Sequence, residues 1–212
     1  SPGRGSSGVA SVFSDVYTDV STNWTVSAGA ITDTVIITDS GDTSKKVTDA
    51  DSVTITLPGT FDASDMSSLH VSVWRTKPSA DLTLTLVDYG ADGVVGGIDD
   101  SQHELIYNAA NNNRIAGGDW VDLEIQLSEF TGLSSTANIG QIVIASQKDG
   151  GASNETLYLD NIYFSKTFSG LSFSETDLTA TGSEGAFIPP LVEQADGNKI
   201  LGMLKGGLYS HV

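Results

Sequence analysis

The chain has 212 residues, 39% of them hydrophobic, and Ser, Thr, Gly, Asp and Asn supply most of the remainder, which suits short strands joined by turns. Ten Lys and Arg against 27 Asp and Glu give a formal net charge of −17; such a surface repels phosphate backbones and argues against nucleic acid as a partner. There is no cysteine, so disulfides, thiol nucleophiles and cysteine-based zinc sites are excluded, and no stretch approaches the ~18 apolar residues of a membrane-spanning helix.

Residues 1–8 (SPGRGSSG) read as a flexible lead. No signal-peptide pattern is visible, so the sequence leaves open whether the chain is mature or excised from a longer one. Val9 to Asp15 is the first expected strand, followed by Asn23 to Ser27 and by the β-branched run Ile31 to Thr38. Asp39 to Ser44 reads as a turn. Val53 to Leu57 alternates apolar and polar residues, and Pro58-Gly59 stops it. In LHVSVW, Leu69, Val71 and Val73 share one face while His70, Ser72 and Trp74 share the other. Leu82 to Val87 repeats the pattern. Asp88 to Asp100 is a Gly- and Asp-rich loop, and Leu105 to Asn108 a short strand. Trp120 to Leu127 alternates with Val121, Leu123, Ile125 and Leu127 on one side; Ile139 to Ala145 and Thr156 to Phe164 complete the set.

About ten short strands without an amphipathic helix predict an all-β fold, a two-sheet antiparallel jelly-roll sandwich over residues 9–166. The alternation ends after Lys166. Residues 167–212 form a C-terminal extension whose apolar residues Ile200, Leu201, Met203, Leu204, Leu208 and Tyr209 would be a liability if exposed. Docking, a linker or self-association through residues 168–212 are its expected roles.

Three segments, Asp62 to Trp74 (DASDMSSLHVSVW), Gly118 to Phe130 (GDWVDLEIQLSEF) and Leu157 to Phe164 (LYLDNIYF), with the opening Val12 to Trp24, give the chain a resemblance over about Ser11 to Lys166. It resembles the galactose-binding-like jelly-roll carbohydrate-binding modules of secreted polysaccharide hydrolases and surface glycan-binding proteins. The closing LDNIYF is the most specific piece. Two features depart from the family: the long acidic loop 88–100 and the extension. The resemblance implies a jelly roll, a structural Ca2+ joining the first and last strands, and a glycan site on a concave face or at the loop tips.

Calcium takes six to eight oxygen ligands. Asp160 lies among the core-like Leu157, Leu159 and Ile162, where a carboxylate needs a partner. With Asp15 as its companion and Asp19 as a weaker one, it forms the first candidate metal set; the alternative is a carboxylate capping a backbone amide. Asp88, Asp92, Asp99 and Asp100 are either a solvated loop or a second metal set, and they lack EF-hand spacing. For sugar binding, aromatic faces stack on pyranose rings while polar groups fix the hydroxyls. Trp74 leads this set, with Tyr107 and Tyr89 as further rings and Arg75, Asn111, Asn112 and Arg114 as hydrogen-bonding groups. The alternative for Trp74 is packing beneath a loop; Trp120 reads as core, and Trp24 is undecided.

Nothing points to catalysis. Glu104, Glu124, Glu129 and Asp122 show no sign of a paired cleft, the histidines are three (His70, His103, His211), and no G-x-S-x-G, H-E-x-x-H or phosphate loop occurs. The sequence thus predicts an extracellular, non-catalytic polysaccharide-binding module with bound calcium. The alternative is a structural surface protein, a virion decoration, fibre or adhesin domain, that assembles through its tail.

Overall fold

The computed structural model describes residues 6–37, 42–76, 81–108, 118–147 and 155–167, together with two short strands further on. Eleven strands build the sandwich: β1 (Val9–Phe13), β2 (Asn23–Val26), β3 (Ala30–Ile37), β4 (Asp42–Thr48), β5 (Ser52–Phe61), β6 (Ser68–Arg75), β7 (Asp81–Asp88), β8 (Ser101–Tyr107), β9 (Val121–Gln126), β10 (Ile139–Gln147) and β11 (Thr156–Ser165). The first sheet runs β3-β4-β11-β6-β9, with β1 also on β11; the second runs β2-β5-β10-β7-β8. Every strand pair in both sheets is antiparallel. The extension contributes β12 (Val192–Glu193) and β13 (Lys199–Ile200), paired with each other; the expected roles of its remaining residues lie outside those described.

Alternation decides what each strand buries. Leu69, Val71 and Val73 of β6, with Leu123 and Ile125 of β9, face Val53, Ile55, Leu84, Leu86, Ile142 and Ile144 of the second sheet in one continuous core. All of these are at most 2% exposed. Apolar burial of about 25 cal/mol per Å² makes this interleaving the main source of stability.

Strand β11 breaks the alternation once. Its register against β6 slips between Asp160 and Tyr163, so that Asp160 pairs with Ser72 and Tyr163 with His70. Asn161 absorbs the extra residue in a left-handed conformation (φ 48°), which Asn tolerates better than most residues. The bulge keeps Leu157, Leu159, Ile162 and Phe164 all inside while Tyr158 and Tyr163 remain on the outer face. At the same point β11 changes its outer neighbour: residues 156–159 pair with β4 and residues 162–165 with β1. The two ends of the sandwich meet there, and Lys166 N donates to Gly8 O at 2.9 Å.

Three sequence expectations are corrected. Strand β5 does not stop at Pro58-Gly59 but continues to Phe61, Gly59 taking a left-handed φ of 79° that carries the chain past the proline. The segment read as a turn at Asp39 to Ser44 instead includes the start of β4, whose polar sequence DTSKKVT hides its alternation. Strand β8 starts at Ser101 rather than Leu105 because its outward residues are Gln102, Glu104 and Ile106.

Arg75 ends β6 on the inward face and closes one end of the core. It is 1% exposed, and its Nε and Nη2 donate to Glu155 Oε1 and Oε2 at 2.9 and 3.1 Å; Nη2 also donates to Ser146 Oγ of β10 at 3.0 Å. Ser146 Oγ in turn bonds Glu155. This paired fork ties the two sheets together. Breaking a buried pair leaves an unpaired charge, so Arg75→Met or Glu155→Leu alone should cost about 3–5 kcal/mol, and the double substitution clearly less than the sum of the two. Urea denaturation of the three variants measures this.

Candidate functional site

The outward side chains of the first sheet fall into cross-strand rows. Tyr158 stands between Lys46 and Trp74, Asp160 lies beside Ser72 and then Asp122, and Tyr163 lies beside His70 and then Glu124. Trp74 and Tyr158 meet edge to face with centroids 5.4 Å apart, and Lys46 Nζ lies 5.8 Å from the Tyr158 ring centre. His70 stacks on Tyr163 at 4.4 Å and 10°, and Tyr17, carried back over the face by the segment after β1, abuts Tyr163 edge-on at 5.4 Å.

Between β6, β9 and the bulge of β11 lies an open groove of about 240 Å³, lined by His70, Ser72, Asp122, Glu124, Asn161 and Tyr163 among others. The bulge creates it by setting Asn161 and Tyr163 apart from the regular ladder. Its volume is small beside the roughly 300–1,000 Å³ of drug-sized pockets, so it suits one ring of a longer ligand. Ser72 Oγ donates to Asp122 Oδ1 at 2.6 Å, and His70 Nε2 lies 2.9 Å from Ser165 Oγ and 3.8 Å from Glu124 Oε1.

The second sheet's outer face is chemically different. Across its strands run Asn23, Thr56, Gln141, Val87 and Gln102, then Thr25, Thr54, Val143, Thr85 and Glu104. These rows carry no ring and a single charge.

Of the residues singled out from sequence for sugar binding, Trp74 is half-buried on the outer face as its alternation predicts. Three others are corrected. Tyr107 is 4% and Tyr89 6% exposed, both turned inward. Tyr89 lies against Gly140, where a Cβ would come within 2.2 Å of its ring. Arg75 is spent on its ion pair. Asn111, Asn112 and Arg114 lie outside the described residues. Trp120, expected in the core, is 40% exposed just before β9, because the inward alternation begins at Val121. Trp24 packs against Phe13 with centroids 5.9 Å apart, and Lys45 Nζ sits over both rings. Sequence reading passed over Tyr158, Tyr163 and Tyr17 as site residues; the first two were legible as polar-capable rings within LYLDNIYF.

Of the first candidate set, Asp160 and Asp15 lie close enough for their charges to interact. Asp160 is 5% exposed at the point where β11 exchanges β4 for β1. Burial raises its pKa to about 6, against the amide of Asn161, whose hydrogen bond at 2.6 Å pulls it down; Asp42, Asp15 and Asp122 nearby push it further up. Asp15 accepts from Thr43 N at 2.6 Å and Thr43 Oγ1 at 2.9 Å. Burial raises its pKa, yet those bonds hold it below the ordinary value, while burial and Asp15 raise that of Asp42. Sequence reading missed Asp42. Ser44, next along β4, has a fully buried hydroxyl with no partner among the described residues. Asp19 accepts from Ser11 Oγ at 2.5 Å.

In the second metal set, oxygens of Asp92, Asp99 and Asp100 lie within 4.8 Å of one another. Each carboxylate caps the loop with one oxygen: Asp99 Oδ2 accepts from Ala91 N, Asp92 Oδ1 from Val94 N and Asp100 Oδ2 from Gly96 N. The other three oxygens surround Gly97, whose Cβ would fall 2.8–3.2 Å from them. Asp100 Oδ1 is buried without a partner. Asp88 does not belong to this set; it is fully buried and accepts from Gly90 N and Asn138 N, both at 2.9 Å.

No family model matches the sequence, and no curated protein is significantly similar to it. Solved structures do match the fold. The family 30 carbohydrate-binding module of the cellulosomal cellulase Cel9D-Cel44B of Clostridium thermocellum aligns with a TM-score of 0.55 at 13% identity, covering 76% of this chain and 98% of its own. Two further family 30 carbohydrate-binding module structures align with TM-scores of 0.51 and 0.50 at 14% and 13% identity, covering 74% and 69% of this chain and 98% and 78% of theirs. The chain therefore has the β-sandwich fold of a carbohydrate-binding module, as the resemblance in its sequence implies.

Asp160 gives this site a pH signature. A carboxylate raised from 3.8 to about 6 in the fold binds its proton more tightly when folded, so stability rises as pH falls from 7 towards 5. In chelator, Asp160→Asn should be more stable than the parent at pH 7, with the difference shrinking by pH 5. Thermal unfolding at both pH values checks the sign.

Proposed function

We propose that this chain is a non-catalytic carbohydrate-binding domain that acts outside the cell and binds a polysaccharide on the outer face of its first sheet. The observation that carries this reading is the juxtaposition on that face of a ring row, Trp74 and Tyr158, with a groove walled by Tyr163, His70 and hydrogen-bonding side chains. Rings offer flat apolar area to a pyranose, and the neighbouring carboxylates, hydroxyl and amide supply acceptors and donors to its hydroxyls. The fold shared with the family 30 modules supports the same reading. Among the described residues no helix is long and apolar enough to cross a membrane.

Calcium belongs to the same proposal. Asp15, Asp42 and Asp160 gather like charges in a partly buried site beside the orphaned Ser44 hydroxyl, and Asp92, Asp99 and Asp100 turn three oxygens, one of them buried and unpartnered, towards one point. Hard oxygen donors of this kind suit Ca2+, whose charge would offset the repulsion that both sets otherwise carry. These residues would hold the ion as a structural element.

Affinity electrophoresis in gels containing plant and marine polysaccharides tests the binding reading. Retardation by at least one polymer is expected, with Trp74→Ala reducing the affinity about tenfold or more; absence of retardation by every polymer would overturn it. For the metal, a chelator should lower the melting temperature by several degrees and excess Ca2+ should restore it. Asp160→Asn and Asp99→Asn should each remove part of that response. An unchanged melting temperature in chelator would refute the calcium assignment.

A further inference from the structure

The groove walled by His70, Ser72, Asp122, Glu124, Asn161 and Tyr163 has an unusual charge balance. Among the described residues no Lys or Arg lines it. The described lysine on that face, Lys46, sits over Tyr158, outside the lining. Two donors of the lining are already turned to protein acceptors: Ser72 Oγ to Asp122 and Asn161 Nδ2 to Asp160 at 3.2 Å. What faces solvent is carboxylate. Asp122 is exposed, and its second oxygen, Oδ2, has no hydrogen bond among the described residues. Glu124, two residues on along β9, is exposed on the same face, about 7 Å away at the rise of a strand. Asp160 lies in the same cross-strand row as Asp122, beyond Ser72, and close enough to Asp122 for the two charges to repel.

A wall of this kind discriminates among sugars by charge. A hydroxyl can donate to Asp122 but leaves the negative potential uncompensated. A carboxylated or sulfated sugar is repelled. An ammonium group both donates and neutralises, and charge-assisted bonds are about twice as strong as neutral ones. His70, half-buried and stacked on the buried Tyr163, offers the lining a ring edge and face, and a cation over an aromatic face gains further.

We propose that this groove is a subsite for an amine-bearing sugar, a 2-amino-2-deoxy hexose unit of a β-linked polymer, with Asp122 as its specificity-determining residue. The inference rests on the glycan-binding reading above and names the ligand class of that site.

Three oligosaccharides with one β-1,4 backbone and a 2-ammonium, 2-acetamido or 2-hydroxyl group isolate the substituent. Their binding is measured by titration calorimetry on the whole chain, at constant Ca2+ and at a pH that keeps the amine protonated. The ammonium oligomer is expected to bind at least tenfold more tightly than the hydroxyl oligomer. Asp122→Asn should remove most of that preference, weakening the ammonium oligomer far more than the hydroxyl oligomer; Glu124→Gln should remove a smaller part. Asp51→Asn, an exposed carboxylate remote from the groove, controls for general attraction between a polyanion and a polycation and should leave the preference intact. Equal affinity for the ammonium and hydroxyl oligomers overturns this inference alone and leaves the glycan reading standing. So does a preference that Asp51→Asn weakens as much as Asp122→Asn. Failure of all three oligomers, together with failure of every polymer in the gels, overturns both.

Discussion

The outer face of the first sheet depends on one extra residue in β11. A strand must alternate, so a buried sequence that continued Leu157, Leu159 in step would put Asn161 and Tyr163 in the core and expel Ile162 and Phe164. Placing Asn161 in a left-handed conformation resets the alternation. Four apolar side chains then stay inside, and Asp160 and Tyr163 both face outward although they are three residues apart. The bulge also bends the strand, which opens the groove beside Ser72 and Asp122 and lets β11 exchange β4 for β1. Core packing, the acidic site and the sugar-sized hollow are thus three results of a single backbone choice.

The sandwich separates two kinds of surface. Its first sheet gathers rings and carboxylates; its second shows threonines, glutamines and valines with two acids, Asp81 and Glu104. In a chain of net charge −17, the sparsely charged second face is the departure. Electrostatic discrimination between ligands is consequently a property of one side of the molecule, and it weakens with salt because Asp122 and Glu124 are solvent-exposed.

Much of the fold was legible in the sequence. The strict alternation of LHVSVW and VDLEIQ defined β6 and β9 together with their inner and outer faces, and LYLDNIYF forms β11, on which the first strand pairs. Strand β4 was obscured because Lys45 occupies an inward position opposite Leu159, its ammonium resting over Phe13 and Trp24; such snorkelling breaks the apolar count. The ring assignments failed for a related reason. Tyr107 and Tyr89 adjoin loops in sequence, but burial is decided by partners such as Gly140, about fifty residues downstream of Tyr89. Arg75 looked like a ligand contact because its partner Glu155 is 80 residues away. Asp42 was passed over for the same reason: its neighbour Asp15 belongs to a different strand connection.

The hydrogen bond between Lys166 and Gly8 has a consequence for how the sandwich can be used. Entry and exit of the folded unit lie side by side, on antiparallel strands that already pair. A host protein could accept the whole unit within a surface loop with almost no distance to bridge, and a short peptide joining the two positions would permit circular permutation at any exposed turn. The same adjacency means that tension applied through the two flanking segments pulls β1 and β11 apart one rung at a time, as a zipper, and not all at once in shear. Under load the unit would therefore yield at low force, opening first at Gly8 and Lys166 and reaching the acidic site around Asp160 only after the pairs from Val9 to Phe13 have parted.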